Sequence, residues 1–313
     1  MSAESGGDSL KSKISLYGLG MALLCVLLWG IQPFFMKTAL IHFDPYTVSW
    51  VRLTFAGIAT LIITRKKIAH HREALSAAPL ILILGGVCLA ANYFTFLRSL
   101  DLGGALTAAV LIQVGPLILA LVGVFFYRET FTRIQAIAVV VALVGFLAFY
   151  KDRLNVANTS GLQDEAALTV IFSAVLWVGY CIVQKQVAGR FGSVTVNLVA
   201  YIVSSFLLVF LVDWSTFQHF YTWSFFAVAY LSCSTLAAYT ALGEALRTLP
   251  ASIVSMLIVT NPFVTIAVVE LLALFETSLM EVTPLTTLGY VGSIVAIIGV
   301  AAATVHGVKK EPS

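Results

Sequence analysis

Eleven uncharged side chains stand in long apolar runs where lipid would offer them no partner. They are Trp29, Gln32, Asn92, Tyr93, Phe96, Gln113, Trp177, Tyr180, Gln184, Tyr239 and Asn261. Aromatic faces alternate with amides in this set. Flat rings stack on flat solutes, and amides hold carboxylate and ammonium groups. That is binding chemistry for a zwitterionic or aromatic solute. A second reading stands beside it: the amides bond helix to helix and the rings fill the core. Either way each polar group must be satisfied or face water.

The surroundings set the class. The chain has 313 residues, 60% hydrophobic and 11% charged, with mean hydropathy +0.98. A soluble domain carries about 25% charge, so the expectation is an all-α membrane protein. About 20 apolar residues cross the hydrocarbon core as a helix. Spans are predicted at 15–37, 45–64, 79–100, 105–127, 132–150, 166–188, 195–213, 224–246, 250–272 and 284–304. The linker 151–165 separates five spans from five. A first unit at 15–150 and a second at 166–305 follow, with polar tails at 1–14 and 306–313.

Basic residues orient the spans. Of 18 Lys and Arg, Lys11, Lys13, Arg65, Lys66, Lys67, Arg72, Arg128, Arg133, Lys185, Arg190, Arg247, Lys309 and Lys310 fall on one side. Lys37, Arg98, Lys151 and Arg153 fall on the other. The bias predicts both termini in the cytoplasm.

The two units echo each other. Lys37 and Lys185, "FLRSL" and "ALRTL", Pro116 and Pro262, and Gly145 and Gly299 recur at offsets of 148, 149, 146 and 154 residues. Trp29 and Trp177 share the first of these offsets. An odd number of spans per unit makes the second enter from the opposite side. The expected architecture is therefore ten transmembrane helices as two inverted five-helix repeats around a central cavity.

Taken together, several segments resemble one family. The "WGIQP" run ending in Lys37, "DPYTVSWVR" from Asp44 to Arg52 and "YRETFTRIQ" from Tyr127 to Gln135 are similar to the EamA-type drug/metabolite transporter superfamily. Within it the chain resembles YddG-type exporters of aromatic amino acids. The resemblance spans about residues 15–305. It implies a ten-helix basket and export of small metabolites. One departure is Arg52, whose repeat equivalent is Ala200.

Pro33, Pro116 and Pro262 each remove a helical hydrogen bond and are candidate hinges. Each kink is expected to free a carbonyl, of Trp29, Ile112 or Ile258. Plain helix shape is the alternative. Lys37 and Lys185 end their spans and are expected to snorkel, with ligand contact as the other option. Arg52, about two turns into its helix, is expected to snorkel or to pair with Asp44. Glu244 and Glu270 near span ends read as solvated, or as proton-coupling groups. Gly289, Gly292, Ala296 and Val300 with Ala142, Gly145 and Ala148 read as close-packing faces.

Other functions find little support. The cysteines, Cys25, Cys88, Cys181 and Cys233, lie in apolar runs with no disulfide framework. The five histidines fall in or near loops, so no metal or other cofactor is expected. No Walker A run, HExxH helix or Ser/His dyad appears. No basic aromatic array points to nucleic acid. The expected partners are an amino-acid-like solute and the lipid bilayer, with monomer and homodimer both open. A secondary carrier leads; an intramembrane enzyme or a passive channel are the alternatives.

Overall fold

The structure is a computed structural model that describes residues 4–129, 133–158, 164–219, 222–273 and 286–308. Every regular element among them is helical. The helices are α1 (Glu4–Ala39), α2 (Pro45–Ile63), α3 (Ile68–Ala77), α4 (Pro79–Leu111), α5 (Val114–Phe125), α6 (Arg133–Asn158), α7 (Asp164–Phe191), α8 (Ser193–Leu208), α9 (Trp223–Thr248), α10 (Ala251–Val259), α11 (Asn261–Ala273) and α12 (Thr287–Val308). Seven segments of the described residues are long and apolar enough to cross a membrane, and three shorter apolar helices occupy 114–125, 136–149 and 287–303. Together they fall on the ten segments read from the sequence. Residues 159–163 of the linker and 309–313 of the second tail lie outside the described residues.

Local chemistry sets several boundaries. Asp44 caps α2: its carboxylate accepts from the backbone N–H of Tyr46 and Thr47 at 2.9 and 3.0 Å, with Pro45 opening the helix. Gly192 turns the chain from α7 into α8 with φ +79°, which a side chain would strain. Two boundaries differ from expectation. Residues 4–14, read as a polar tail, continue α1 as helix. Leu100 to Leu111, split by the reading between spans three and four, continue α4 unbroken.

The prolines explain where two of the helices stop. The ring of a proline collides with the carbonyl four residues back. For Pro116 that is Ile112, and α4 ends there; for Pro262 it is Ile258, and α10 ends at Val259. The chain breaks instead of kinking. The Ile112 carbonyl accepts from Gly115 N–H at 2.9 Å, and at the second break Thr260 N–H donates to the Leu257 carbonyl at 3.0 Å. Pro33 lies exposed within α1, which continues through it without a break.

Packing follows an exchange pattern. α4 packs on α7 as α9 packs on α1; α4 packs on α8 as α9 packs on α2; α5 packs on α7 as α10 packs on α1. The pair α6–α12 packs on itself in the same sense. A β-carbon on Gly145 would lie 2.7 Å from the Gly292 carbonyl and 2.8 Å from the Ala296 Cα. One on Gly299 would lie 2.7 Å from the Ala142 Cα. The offset that carries Gly145 onto Gly299 also carries Ala142 onto Ala296. The contact is thus its own image, as across a two-fold axis. These are the small-residue faces expected from the sequence, now in backbone-to-backbone contact.

At the end of the molecule that carries most of the basic residues, the helices are tied by polar contacts. Glu129 accepts from Ala251 N–H at 2.6 Å, Ser252 N–H at 3.0 Å and the Ser252 hydroxyl at 2.6 Å, capping α10. Lys185 lies 3.5 Å from Glu129 and donates to the Leu249 carbonyl at 2.9 Å, at the end of α9. Lys185 therefore joins α7, α9 and the segment after α5, and does not snorkel. Lys37, by contrast, is exposed, as a snorkelling lysine would be. Glu244 accepts from Arg247 at 2.6 Å and from the Ser193 hydroxyl, which makes it a helix-end anchor. The Glu270 side chain lies outside the described residues.

The short helix α3 was read only as a loop. It buries His71 and Ala74 and exposes Arg72. His71 bonds to the hydroxyls of Thr195 at 3.0 Å and Thr64 at 2.9 Å. Burial, then the neighbouring His70 and Lys67, lower its pKa from the ordinary histidine value.

Candidate functional site

The centre of the bundle is built from single faces of five helices. α7 supplies Trp177, Tyr180 and Gln184, spaced three and four residues apart and so on one face. α9 supplies Thr235 and Tyr239, one turn apart. α8 supplies Asn197 and Tyr201 in the same way. α1 brings Trp29, and α2 brings Arg52.

The rings form one edge-to-face cluster. Tyr239 sits in its middle, with ring centroids 5.6 Å from Trp29, 5.5 Å from Tyr180 and 6.3 Å from Tyr201. Trp29 and Trp177 approach to 6.2 Å at an interplanar angle of 65°. Each such pair is worth about 0.5–1.5 kcal/mol beyond the area it buries. Trp29 and Trp177, which share the 148-residue offset of Lys37 and Lys185, meet here.

The two helix breaks flank this pair. A β-carbon on Gly115, just after the α4–α5 break, would lie 3.2 Å from the Trp177 ring. On the other side the Thr265 hydroxyl of α11 donates to the Gly30 carbonyl at 2.9 Å, beside Trp29. Asn261, at the start of α11, is one turn before Thr265. At the 146-residue offset of Pro116 and Pro262, Asn261 corresponds to Gly115 itself. Every residue from 260 to 266, and from 111 to 114, is half-buried. A helix that shows part of every face while lying among others borders open space on more than one side.

The amides divide. Asn92 donates to the carbonyl and the hydroxyl of Ser173, both at 2.9 Å, and joins α4 to α7. Gln184 donates to the Tyr180 hydroxyl at 2.8 Å and to Asn197, whose own amide donates to the Tyr239 carbonyl at 3.0 Å. Tyr180 donates to Asn197 as well. For Asn92 and Gln184, interhelical bonding is what the structure shows. Trp29, Gln32, Tyr93, Phe96, Gln113 and Asn261 stay half-buried. The carbonyl oxygen of Gln32 and the hydroxyl of Tyr201 are buried without a partner. Such atoms call for a water or a solute.

Arg52 departs most from expectation. It is 1% exposed, so it does not snorkel. Asp44 is occupied in capping α2. Arg52 instead donates through Nε to the Thr235 hydroxyl at 2.8 Å, and its guanidinium carbon lies 5.6 Å from the Tyr93 ring centre. Its signal in the sequence was real, a charge inside an apolar run, but its partner lies 183 residues away. Asn197, Tyr201 and Thr235 carried no signal beyond polarity within a span.

Among the described residues no group of His, Cys, Asp and Glu could hold a metal ion. The four cysteines are free thiols.

Comparison with known proteins points one way. Residues 16–150 match the EamA-like transporter family. An "Uncharacterized transporter" of Haemophilus influenzae is 24% identical over 91% of this chain and 93% of its own length. The "Uncharacterized inner membrane transporter YhbE" of Escherichia coli is 26% identical over 90% of this chain and 89% of its own. Protein RarD of Salmonella typhi is 27% identical over 57% of this chain and 58% of its own. A solved crystal structure shares the fold with TM-score 0.69 at 17% identity, covering 96% of this chain and 99% of that one. The matched segment, residues 16–150, is similar to the EamA-like transporter family and holds Trp29, Arg52, Tyr93 and Pro116.

Proposed function

We propose that the protein is a secondary transporter of small amino-acid-like metabolites, aromatic ones among them, working by alternating access of two inverted five-helix halves. The observation that carries this reading is the meeting of Trp29 and Trp177, equivalent residues of the two halves, at the centre of the bundle. A site made of equivalent parts can be presented to either side as the halves exchange conformations. The exchange pattern of helix contacts supports the same duplication. The names of the relatives agree with transport. The resemblance to aromatic exporters gives the direction, outward across the inner membrane, with both termini cytoplasmic as the basic residues require. No cofactor is needed. We read the chain as a carrier and not an enzyme, since the central residues offer rings, amides and one cation but no nucleophile with a base beside it.

In cells overproducing the protein, a panel of toxic amino-acid analogues tests the substrate class. Protection against aromatic analogues is expected; protection confined to non-amino-acid toxins would overturn it. Trp177→Ala should weaken aromatic substrates by roughly 1–3 kcal/mol and spare small aliphatic ones. Asn261→Ala should weaken all amino acids alike. Equal losses for every substrate in both variants, with folding intact, would contradict these roles.

Pro116 and Pro262 hold the breaks beside the two tryptophans. With alanine at both positions, the Ile112 and Ile258 carbonyls regain helical donors and the segments straighten. Normal insertion with strongly reduced uptake into everted vesicles is expected. Unchanged uptake would remove the breaks from the mechanism.

A further inference from the structure

Arg52 is a full charge inside a membrane span, and the fold gives it little. It is the largest of the fully buried side chains. A guanidinium has five N–H donors, and the bond shown for it is one, to Thr235. That hydroxyl passes its own proton to the Leu231 carbonyl at 2.7 Å, so it meets Arg52 as an acceptor. Tyr93 offers a ring face. Among the described residues the ion pairs are Lys185–Glu129 and Arg247–Glu244, and neither involves Arg52. A buried cation without a counter-ion is expensive. Joining α2 to α9 through one hydroxyl could be done by a neutral side chain. The repeat-equivalent position holds Ala200, so the cost is borne on one half only.

We propose that Arg52 anchors the carboxylate of the transported solute, so that the substrate class is defined by an organic acid group and not by an amine. This rests on the transporter reading above. Thr235 and Tyr239 are one turn apart on α9, about 5.4 Å along the axis. Arg52 is held by the first, and the ring cluster is centred on the second. An anion on Arg52 therefore places a neighbouring apolar or aromatic group against Tyr239 and Trp29. The single charge also makes the site one-ended: the acid group is held by the first repeat in whichever direction the site opens.

The test uses the full-length protein in detergent, with thermal stabilisation by small ligands as the readout, which needs no transport. The probes are phenylalanine, phenylpropanoate, phenylalanine amide, phenethylamine, leucine and leucine amide. Wild type should be stabilised by the three carboxylates and not by the amides or the amine. Arg52→Gln should lose that stabilisation, with affinity down about 10- to 100-fold, and Arg52→Lys should keep part of it. Stabilisation by amide or amine equal to that by the acid overturns the proposal, as does undiminished acid binding by a folded Arg52→Gln. No stabilisation by any carboxylate also overturns it. If Arg52→Gln does not fold, the wild-type series decides alone. Acid selectivity for leucine but not phenylalanine upholds Arg52 while removing the aromatic reading; amine selectivity removes Arg52 while leaving a carrier.

Discussion

Gly145→Ala should destabilise the protein sharply, and Gly20→Ala should not. Both glycines lie within helices. A β-carbon at Gly145 meets the backbone of α12 at two residues, 2.7 Å from the Gly292 carbonyl and 2.8 Å from the Ala296 Cα. Backbone cannot swing away as a side-chain tip can, so α6 and α12 must separate. Overpacking of this kind costs about 1–3 kcal/mol and sometimes more. It also forfeits the close contact that drives helix association in lipid, where apolar burial contributes nothing. Gly20 has nothing within 4 Å of the same position. Alanine there should be neutral or stabilise by up to about 1 kcal/mol, since it removes backbone freedom from the unfolded chain. Melting curves of the two purified variants check the contrast. Equal curves would mean that α6 and α12 do not meet as described.

Glu129→Gln should open the basic end of the molecule. The carboxylate caps α10 through two backbone N–H groups and pairs with Lys185, which in turn holds the end of α9. Glutamine keeps one acceptor oxygen and loses the charge. Loss of a good cap costs about 0.5–2 kcal/mol, and hydrogen bonds to charged groups are worth about 1.5–3 kcal/mol. Ser255, one turn inside α10, is 1% exposed. A cysteine there should be protected from thiol reagents in the wild-type background. It should react faster when Glu129 is glutamine, above the labelling that exposed Cys233 already gives. Unchanged protection would show that this end is closed by apolar packing alone.

Much of this was legible in the chain. Apolar segments announce themselves by composition, because lipid tolerates little else. Close packing at Gly145 and Gly299 was legible because small residues recur on one helix face. Trp29 and Trp177 were legible as a pair because they stand at the offset shared by Lys37 and Lys185. Other features lay beyond the sequence. That Pro116 breaks its helix while Pro33 does not is decided by neighbours. Glu129 carried no signal of its own, because its partners are 122 and 123 residues on. Asn92 and Gln184 looked like Gln32 and Asn261, and only the position of Ser173 and Asn197 on neighbouring helices shows that the first two are bonded between helices. Arg52 was visible as an anomaly, but its depth and its lack of an acid required the fold.

A carrier as proposed above exposes one site alternately to two sides. Counterflow in liposomes reconstituted with the purified protein tests it most directly. Vesicles loaded with unlabelled phenylalanine are diluted into trace labelled phenylalanine. The account predicts a transient accumulation of label above equilibrium, saturating with external concentration and absent from empty vesicles. Label that enters linearly with concentration and never overshoots, whatever the vesicles contain, would show a passive pore and contradict it.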